Sequence, residues 1–286
     1  MSRLALVFLL AFSASAQVHL FSKDQMIQYT AKNPYERFAD GRPKVPDAVL
    51  EKMKGLSVEE IWKILNSSGY QNTYAGDFQQ LHSGMKLIGR AVTAQFMPAR
   101  EDIMEVEDKG ASDRGWAKSE HQRVIDQLQP GDVLVADLFS KIEGGTLVGD
   151  NLAAAIHSAT GNGFVVDGAI RDLEGIFPMQ MNIYYRGVHP SAVRDIMLTG
   201  YNVPVRIGNA VVMPGDIVFG DRTGVYFVPP HLIEKILQTA EETHIHDEWT
   251  KDKFSKGHYK STDLYPTPKD PALKKEYEDY KKKRLR

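Results

Sequence analysis

The spacing of apolar residues changes from segment to segment along the chain and predicts alternating helices and strands. The most informative stretch runs from Gly149 to Glu174: a helix of small residues, a turn at 161–163, a buried strand at 164–166 and a polar loop ending in Arg171-Asp172. A helix followed by a returning strand can bring the loops at its two ends together. Asp150 and the Arg171-Asp172 pair are therefore predicted to lie close to each other.

Similar patterns predict the remaining elements. Helices begin at proline or capping signals such as Ser57 with Glu60, and they are predicted over residues 46–54, 57–68, 121–128 and 231–243. The apolar face of the second helix is predicted to comprise Ile61, Trp62, Ile64 and Leu65. Runs of β-branched and aromatic residues predict strands over residues 87–96, 133–136, 183–187, 203–207, 211–213, 217–221 and 225–228.

Proline and glycine predict where the chain turns. Two Pro-Gly-Asp turns, at 130–132 and 214–216, indicate a compact, sheet-rich core, and Gly144-Gly145 is interpreted as a further short turn. Residues 100–120 are charged and contain glycine, which predicts a loop. Residues 17–45 are polar and contain several breakers, so we expect an irregular N-terminal arm.

Composition excludes several classes of function. The chain has 286 residues, of which 42% are hydrophobic and 25% charged, as in an ordinary globular protein. Its net charge of −2 provides no basic face for a nucleic acid. Because there is no cysteine, disulfides, thiolate metal sites and thiol nucleophiles are excluded.

The first residues have the layout of a secretory signal peptide. Arg3 precedes an apolar run over residues 4–12, and Ala14 and Ala16 occupy the small-residue positions before a cut ahead of Gln17. The run is shorter than the ~20 residues that span a bilayer, so it is not a transmembrane helix. The alternative to a signal peptide is a buried N-terminal helix. Residues 1–16 are therefore predicted to be removed, leaving an exported protein without a membrane segment.

The C-terminal part is polar and aromatic and ends in a charge run, KKEYEDYKKKRLR. We expect these last residues to form a solvated helix or to be disordered; alternatively, the aromatic residues of the tail lie over a neighbouring surface. His244 and His246 suggest a metal site, but residues two apart do not face one another on a helix. An independent zinc site is therefore not favoured.

The remaining chemistry is that of oxygen ligands, because neither a phosphate-binding glycine loop nor a G-x-S-x-G elbow occurs in the sequence. An aspartate at a loop tip can hold a hard divalent cation, and an adjacent arginine can bind a carboxylate through two donors. Amides at the start of the 151–159 helix can bind the same anion. Arg171 and Asp172 therefore describe a site for a 2-oxo acid, whose carbon–carbon cleavage a Lewis-acid cation would assist.

At these residues the chain resembles the RraA-like family, which includes the class II 4-hydroxy-4-methyl-2-oxoglutarate aldolases. The family signature, an aspartate, twenty intervening residues and Arg-Asp, is met by Asp150 and Arg171-Asp172. The segments RPKVPDAVLEKMKGLS, GMKLIGRAVTAQF and MPGDIVFGDRTGVYFVP are similar to family landmarks in the same order. The resemblance covers roughly residues 42–248.

The resemblance implies an α/β fold, a swivelling β/β/α domain over residues 46–248, with an N-terminal helical arm at 17–45 and a C-terminal extension at 249–286. It implies homotrimers or hexamers with sites between subunits. Arg171 would bind the pyruvoyl carboxylate, Asp172 would ligate Mg²⁺ or Mn²⁺, and Asp150 would hold water and assist proton transfer. The implied substrate-binding loop comprises Gly149, Asp150, Asn151 and Leu152. The outer metal shell would be completed by Asp247 or Glu248 of a neighbouring subunit.

The activity implied by the resemblance is that of a metal-dependent lyase that cleaves a 4-hydroxy-2-oxo acid to pyruvate, with possible oxaloacetate decarboxylation. Two alternatives stay open. The family also contains the inhibitor of ribonuclease E, so the chain could be a non-catalytic binding or regulatory protein. The protein is predicted to be exported, whereas the aldolases of the family are cytoplasmic. An exported enzyme could instead act on a sugar-acid-like substrate. The partner expected in either enzyme is a small molecule, not a nucleic acid or a membrane.

Overall fold

The computed structural model describes residues 19–285, in which helices and strands alternate along the chain. The helices are α1 (Lys23–Tyr29), α2 (Asp47–Met53), α3 (Val58–Ser67), α4 (Glu101–Asp113), α5 (Glu120–Ile125), α6 (Asp150–Thr160), α7 (Leu173–Ile176), α8 (Ile233–Lys256), α9 (Ser261–Leu264) and α10 (Pro271–Arg284). The strands are β1 (His19–Leu20), β2 (Tyr74–Ala75), β3 (Gln79–Gln80), β4 (Leu87–Pro98), β5 (Asp132–Val148), β6 (Phe164–Ile170), β7 (Tyr184–Val188), β8 (Ile196–Tyr201), β9 (Val205–Ile207), β10 (Ala210–Val212), β11 (Ile217–Gly220) and β12 (Val225–Val228). The predicted signal peptide, residues 1–16, lies outside the described residues.

The main sheet has the strand order β2-β12-β11-β4-β5-β6-β7-β3, with β8 on β4 and β1 on β8. Strands β4, β5, β6 and β7 run parallel to one another, whereas β11, β12, β2 and β3 pair antiparallel. Parallel neighbours need a crossover, which α4–α5, α6 and α7 supply in turn. The predicted α/β fold is therefore confirmed.

Apolar side chains fix the helices to this sheet. Ile156 of α6 packs with Val166 of β6 in one buried cluster, and Ile61 of α3 packs with Ile236 of α8 in another. A third cluster lies between the sheet and the small β9–β10 hairpin, around Ile207. Full burial of such a side chain contributes about 1.5–3 kcal/mol, so these contacts, more than helix propensity, hold the layers together.

Two segments predicted to be irregular contain helices. In the expected loop at 100–120, α4 begins with Glu101 and Asp102, whose charges favour a helix N-terminus, and its inner face buries Gly110 and Ala111. In the arm at 17–45, Ser22 caps α1 through a capping box with Gln25. The loop prediction for 100–120 was wrong because the charged, glycine-containing composition outweighed these local helix signals, whereas α1 lies in the segment expected as a helical arm.

Helix α3 forms where its capping box predicts, but one residue of its apolar face differs. Ile61, Ile64 and Leu65 are at most 5% exposed, whereas Trp62 is 54% exposed. The buried residues follow the i, i+3, i+4 spacing of a single helical face, and Trp62 lies one position outside it. Its assignment to the core was wrong.

Strand β5 is far longer than the four residues predicted, because it continues through Gly144-Gly145 instead of ending in a turn there. Its register with β6 shifts between Asp137 and Lys141, where Phe139 and Ser140 have φ of 41° and 58°. This bulged segment takes up the extra residues. Pairing continues at Lys141 and Thr146 with further register shifts, and at the ends of the two strands Val148 lies beside Ile170.

The C-terminal residues fold back on the chain's own helix α8, which continues through the predicted helix end to Lys256. The Tyr277 ring of α10 contacts the rings of His246 and Trp249, each at 5.3 Å between centroids. Arg284 binds Glu248 at 2.6 Å. Within residues 19–285, no helix has the length and apolarity needed to cross a membrane.

Candidate functional site

Three parallel strands end at the same level of the sheet. Val148 at the end of β5 pairs with Ile170 at the end of β6, which in turn pairs with Val188 at the end of β7. The residues that follow are Gly149-Asp150, Arg171-Asp172 and His189. Ligands of open α/β sheets bind outside the carboxyl ends of the strands, so this edge is the candidate site.

Arg171 and Asp172 lie side by side at this edge. The Arg171 amide donates to the Val148 carbonyl at 3.1 Å, which holds the loop against β5. Asp172 has φ 59° and ψ 41°, the left-handed conformation, as it begins α7. Its Oδ2 is 3.3 Å from Nε of Arg171, and the two side chains are 43% and 40% exposed. Such strained backbone is common at functional sites, and an aspartate tolerates it better than most residues.

Gly149 allows the start of α6 to approach this pair closely. A Cβ atom at Gly149 would lie 2.5 Å from Oδ2 of Asp172 and 3.2 Å from Nε of Arg171. The first-turn amides of α6, including those of Asp150 and Leu152, have no carbonyl partner within the helix. Together with the positive end of the helix dipole, they form an anion-binding position beside the guanidinium.

Asp150 lies against the backbone of α7. Its Oδ1 accepts the Asn151 amide at 2.7 Å, and a Cβ atom at Gly175 would be 2.7 Å from its Oδ2. Asn151 is exposed, whereas Leu152 packs against the core beneath the helix. The structure therefore brings the loop 149–152 to the Arg171-Asp172 loop, which is the geometry that the sequence predicts. The chemical roles of these residues stay a prediction.

The two acidic residues predicted to complete the metal shell lie on α8. Asp247 is 3.6 Å from Nδ1 of His246, and Glu248 is bound by Arg284. Within residues 19–285 of one chain, no hydrogen bond or ion pair links Asp247 or Glu248 to the carboxyl edge of β5–β7.

Two histidines near the site were not singled out by the sequence. The His189 amide donates to the Ile170 carbonyl at 3.2 Å, and its Nδ1 accepts the Ser191 amide at 3.2 Å, which leaves Nε2 to carry the proton of the neutral ring. Burial lowers the pKa of His121 on α5, and the positive charge of Arg171 lowers it further. His189 is the first polar residue after a predicted strand, the same signal that marks Arg171. His121 gives no comparable signal.

The donor set suits a hard divalent cation that is held mainly by water and substrate. Among the described residues there is no group of three or more potential metal ligands of the His, Cys, Asp and Glu types. A closed zinc-type site is therefore absent there, and His244 instead pairs with Glu60 at 2.7 Å. Mg²⁺ needs only one or two protein carboxylates because it keeps several waters, and the half-exposed Asp172 fits this requirement.

Comparisons with known proteins agree with this architecture. A family model described as RraA-like, Aldolase/RraA, matches residues 43–227. A Halalkalibacterium halodurans protein named as a candidate 4-hydroxy-4-methyl-2-oxoglutarate aldolase is 33% identical over 43% of this chain and 58% of its own length. Protein DlpA of Legionella pneumophila is 25% identical over 73% of this chain and 32% of its own length. The chain thus matches less than two thirds of either relative.

Solved structures show the same fold. RraAS2 of Streptomyces coelicolor, described as an unusual member of the RNase ES inhibitor RraA protein family, has a TM-score of 0.62 at 25% identity, covering 77% of this chain and all of that one. An uncharacterised Pseudomonas syringae protein has a TM-score of 0.61 at 20% identity, over 75% of this chain and 96% of its own, and shows the fold alone. Because the matched family region spans well over half of the chain, the protein belongs to the RraA-like family.

Proposed function

We propose that the protein is a divalent-cation-dependent lyase that cleaves the carbon–carbon bond of a 4-hydroxy-2-oxo acid and releases pyruvate, with oxaloacetate decarboxylation as a second activity. The observation that carries the proposal is the pairing of Arg171 with Asp172 at 3.3 Å, both half-exposed, beside the start of α6. A guanidinium, a free carboxylate and helix-start amides at one open edge match the carboxylate and keto groups of a 2-oxo acid.

Each residue has a distinct part in the proposed reaction. Arg171 binds the substrate carboxylate through two parallel hydrogen bonds, and the first-turn amides of α6 hold the same group from the other side. Asp172 is the residue that would hold Mg²⁺ or Mn²⁺, and a cation bound there would polarise the 2-oxo group as a Lewis acid. Gly149 keeps the space between these groups open.

Proton transfer is assigned to Asp150. In the retro-aldol direction its carboxylate accepts the proton of the 4-hydroxyl group as the bond between C3 and C4 breaks, and a proton delivered to C3 completes pyruvate. In oxaloacetate the bond to the departing carboxylate breaks instead, so no hydroxyl proton has to be removed. Asp150 should therefore matter more for the aldol substrate than for oxaloacetate.

The test is pyruvate release by the purified protein from 4-hydroxy-4-methyl-2-oxoglutarate and from oxaloacetate. Each substrate is assayed with Mg²⁺, with Mn²⁺ and with a chelator, using the wild type, Arg171→Lys and Asp150→Asn. We expect cation-dependent release that falls at least ~100-fold in Arg171→Lys, because lysine cannot donate two parallel bonds to a carboxylate. Asp150→Asn should lose aldol cleavage and retain more of the decarboxylation. Equal activity of all three proteins would refute the assignment.

We further propose that the protein works as an exported homotrimer or hexamer in which Asp247 or Glu248 of a neighbouring subunit joins the outer metal shell. The support is the position of both residues on α8, apart from their own chain's site, and the signal-like residues 1–16. Light scattering of the wild type and mixing of Asp172→Asn with Asp247→Asn or Glu248→Gln subunits would test this. Partial recovery of activity in mixed oligomers is expected only if the site is shared.

A non-catalytic binding protein on the same fold is the second candidate, because RraAS2, at 25% identity over its whole length, is described as a member of an RNase inhibitor family. Cation affinity separates the two functions. A folded protein that releases no pyruvate and whose Mn²⁺ affinity is unchanged by Asp172→Asn would favour binding without catalysis.

A further inference from the structure

The two Pro-Gly-Asp turns have the same internal geometry. In the first, Oδ2 of Asp132 accepts the Gln129 amide at 2.9 Å; in the second, Oδ2 of Asp216 accepts the Met213 amide at 2.9 Å. The central glycines have φ of 80° and 84°. Both aspartates are buried, at 0% and 5% exposure. The turns can therefore be compared residue by residue.

They differ in what neutralises the carboxylate. Asp132 receives two hydrogen bonds from the guanidinium of Arg42, at 2.8 and 3.1 Å. Asp216 forms no ion pair with any residue in 19–285, and its hydrogen bond from Met213 reaches only Oδ2. Removing a carboxylate from water without a cation costs free energy, so the second turn lacks the element that stabilises the first.

The space beside Asp216 is open. Asp216 lines a cavity of about 360 Å³ between the end of α1 and the Pro229–His231 segment, with Met213 and Tyr70 completing the wall. In place of an internal arginine, this turn has a cavity large enough for a small molecule. The proline and methionine side chains provide apolar surface for an alkyl group.

This cavity is separate from the candidate active site. The Asp216 carbonyl accepts the Ala91 amide at 2.8 Å, and Ala91 pairs with Val133 near the first residue of β5. The active-site loop follows the last residue of that strand, Val148. A ligand beside Asp216 would thus lie at the amino end of the parallel strands.

We propose that this cavity binds a small organic cation carrying a guanidinium or primary ammonium group, which pairs with Asp216 as Arg42 pairs with Asp132. A guanidinium presents parallel donors that match both carboxylate oxygens, so it would supply the missing partner of Oδ1 and leave the Met213 contact in place. The inference is independent of the proposed lyase activity.

The other charged and titratable groups that line the cavity are Tyr29, Lys32, Tyr70 and His231. Tyr70 Oη and His231 Nε2 are 3.0 Å apart and satisfy one another. Burial lowers the pKa of His231, and Lys32 lowers it further, so the imidazole is neutral near pH 7 and does not repel a cation. Lys32, which is exposed, is the one lining group that opposes cation binding.

The affinity should depend on pH through Asp216 itself. Burial raises the pKa of this carboxyl to about 7. A cation requires the ionised form, so its binding releases a proton and strengthens as the pH rises. Between pH 6 and pH 8 the ionised fraction, and with it the association constant, should rise about tenfold.

The experiment is isothermal titration of the full-length protein with butylguanidinium, using butylurea as the uncharged analogue of the same shape. We expect butylguanidinium to bind at one site, more tightly at pH 8 than at pH 6, and we expect no binding of butylurea. Asp216→Asn, which keeps an acceptor for the Met213 amide, should abolish binding. Lys32→Ala should strengthen it several-fold, whereas Asp126→Asn, which removes an exposed carboxylate elsewhere, should leave it unchanged.

Lys32→Ala and the pH profile test the site even if Asp216→Asn does not fold. Equal binding of butylurea, an affinity that does not change with pH, or binding that survives Asp216→Asn in a folded protein would overturn the proposal. The absence of any heat of binding at millimolar butylguanidinium would also overturn it.

Discussion

Nε of Arg171 lies 3.3 Å from Oδ2 of Asp172, although the two residues are neighbours in the sequence. Consecutive side chains of an extended chain point to opposite faces. The left-handed conformation of Asp172, with φ 59°, reverses that alternation and places both groups on the same side. Because both stay open to solvent, the pair contributes little to stability and is available to a ligand.

Because Asp172 has a left-handed backbone conformation, substitutions at this position should affect stability and activity differently. Asparagine and glycine adopt the left-handed region readily, whereas alanine does not. We expect Asp172→Ala to be less stable than Asp172→Asn by about 1 kcal/mol, and Asp172→Gly to be at least as stable as Asp172→Asn. All three should lose cation-dependent activity. Urea unfolding would measure the order of stability of the three variants. Equal stability of the alanine and asparagine variants would contradict the strain argument.

Gly149→Ala should strongly reduce the proposed pyruvate release without unfolding the protein. The added methyl group would stand 2.5 Å from the Asp172 carboxylate, but Gly149 has φ −107°, which alanine adopts without strain. We expect kcat/KM for pyruvate release to fall at least about tenfold, with a Tm close to that of the wild type. The matched control is Gly55→Ala, where the new atom would meet its nearest neighbour at 3.7 Å. An active Gly149→Ala protein would show that the loop has room to spare.

His189 is expected to contribute to substrate binding. It follows β7 in register with Arg171, and its Nδ1 is engaged by the Ser191 amide, so its Nε2–H is the group left to donate. We expect His189→Ala to raise KM several-fold, by the loss of a hydrogen bond worth about 1 kcal/mol, with kcat changed less. His189→Gln retains a donor and should recover part of the affinity. A wild-type KM in both variants would place His189 outside the site.

The buried pair of Arg42 and Asp132 should be a major determinant of stability. Their side chains are 2% and 0% exposed and form two hydrogen bonds. Arg42→Met leaves the carboxylate buried and unpaired, so the free energy of unfolding should fall by roughly 3–5 kcal/mol. The double variant Arg42→Met/Asp132→Leu should lose less than the single one. Denaturant unfolding measures the free energy of unfolding of both variants. A double variant that is less stable than Arg42→Met would contradict the prediction.

Much of the fold could be predicted because its signals are local. The Ser57–Glu60 capping box and the β-branched run at 164–166 are short-range patterns, and both elements form where they were expected. The bulged continuation of β5 was missed because its register depends on pairing with β6, which is distant in sequence. Helix α4 was missed because the charges and glycine of residues 100–120 outweighed its acidic first turn, and because the burial of Ala111 that stabilises it is a tertiary contact.

The residues of the candidate site could be proposed from the sequence, but their backbone conformation and alignment could not. A polar Arg-Asp directly after a buried strand indicates the candidate loop, and the returning strand places this loop beside Gly149. The left-handed turn at Asp172 and the alignment of His189 with Arg171 follow from three-dimensional packing, which residue types alone do not specify. The roles proposed for Asp247 and Glu248 would depend on a neighbouring subunit and so on contacts beyond a single chain.

The central claim is that Asp172 holds the divalent cation on which pyruvate release depends. The most direct measurement is the rate of pyruvate release from 4-hydroxy-4-methyl-2-oxoglutarate and oxaloacetate by wild type and Asp172→Asn, with Mg²⁺, with Mn²⁺ and with chelator. We expect release only from the wild type and only with a cation. Release by folded Asp172→Asn at the wild-type rate, or release by the wild type that chelator does not diminish, would contradict the account.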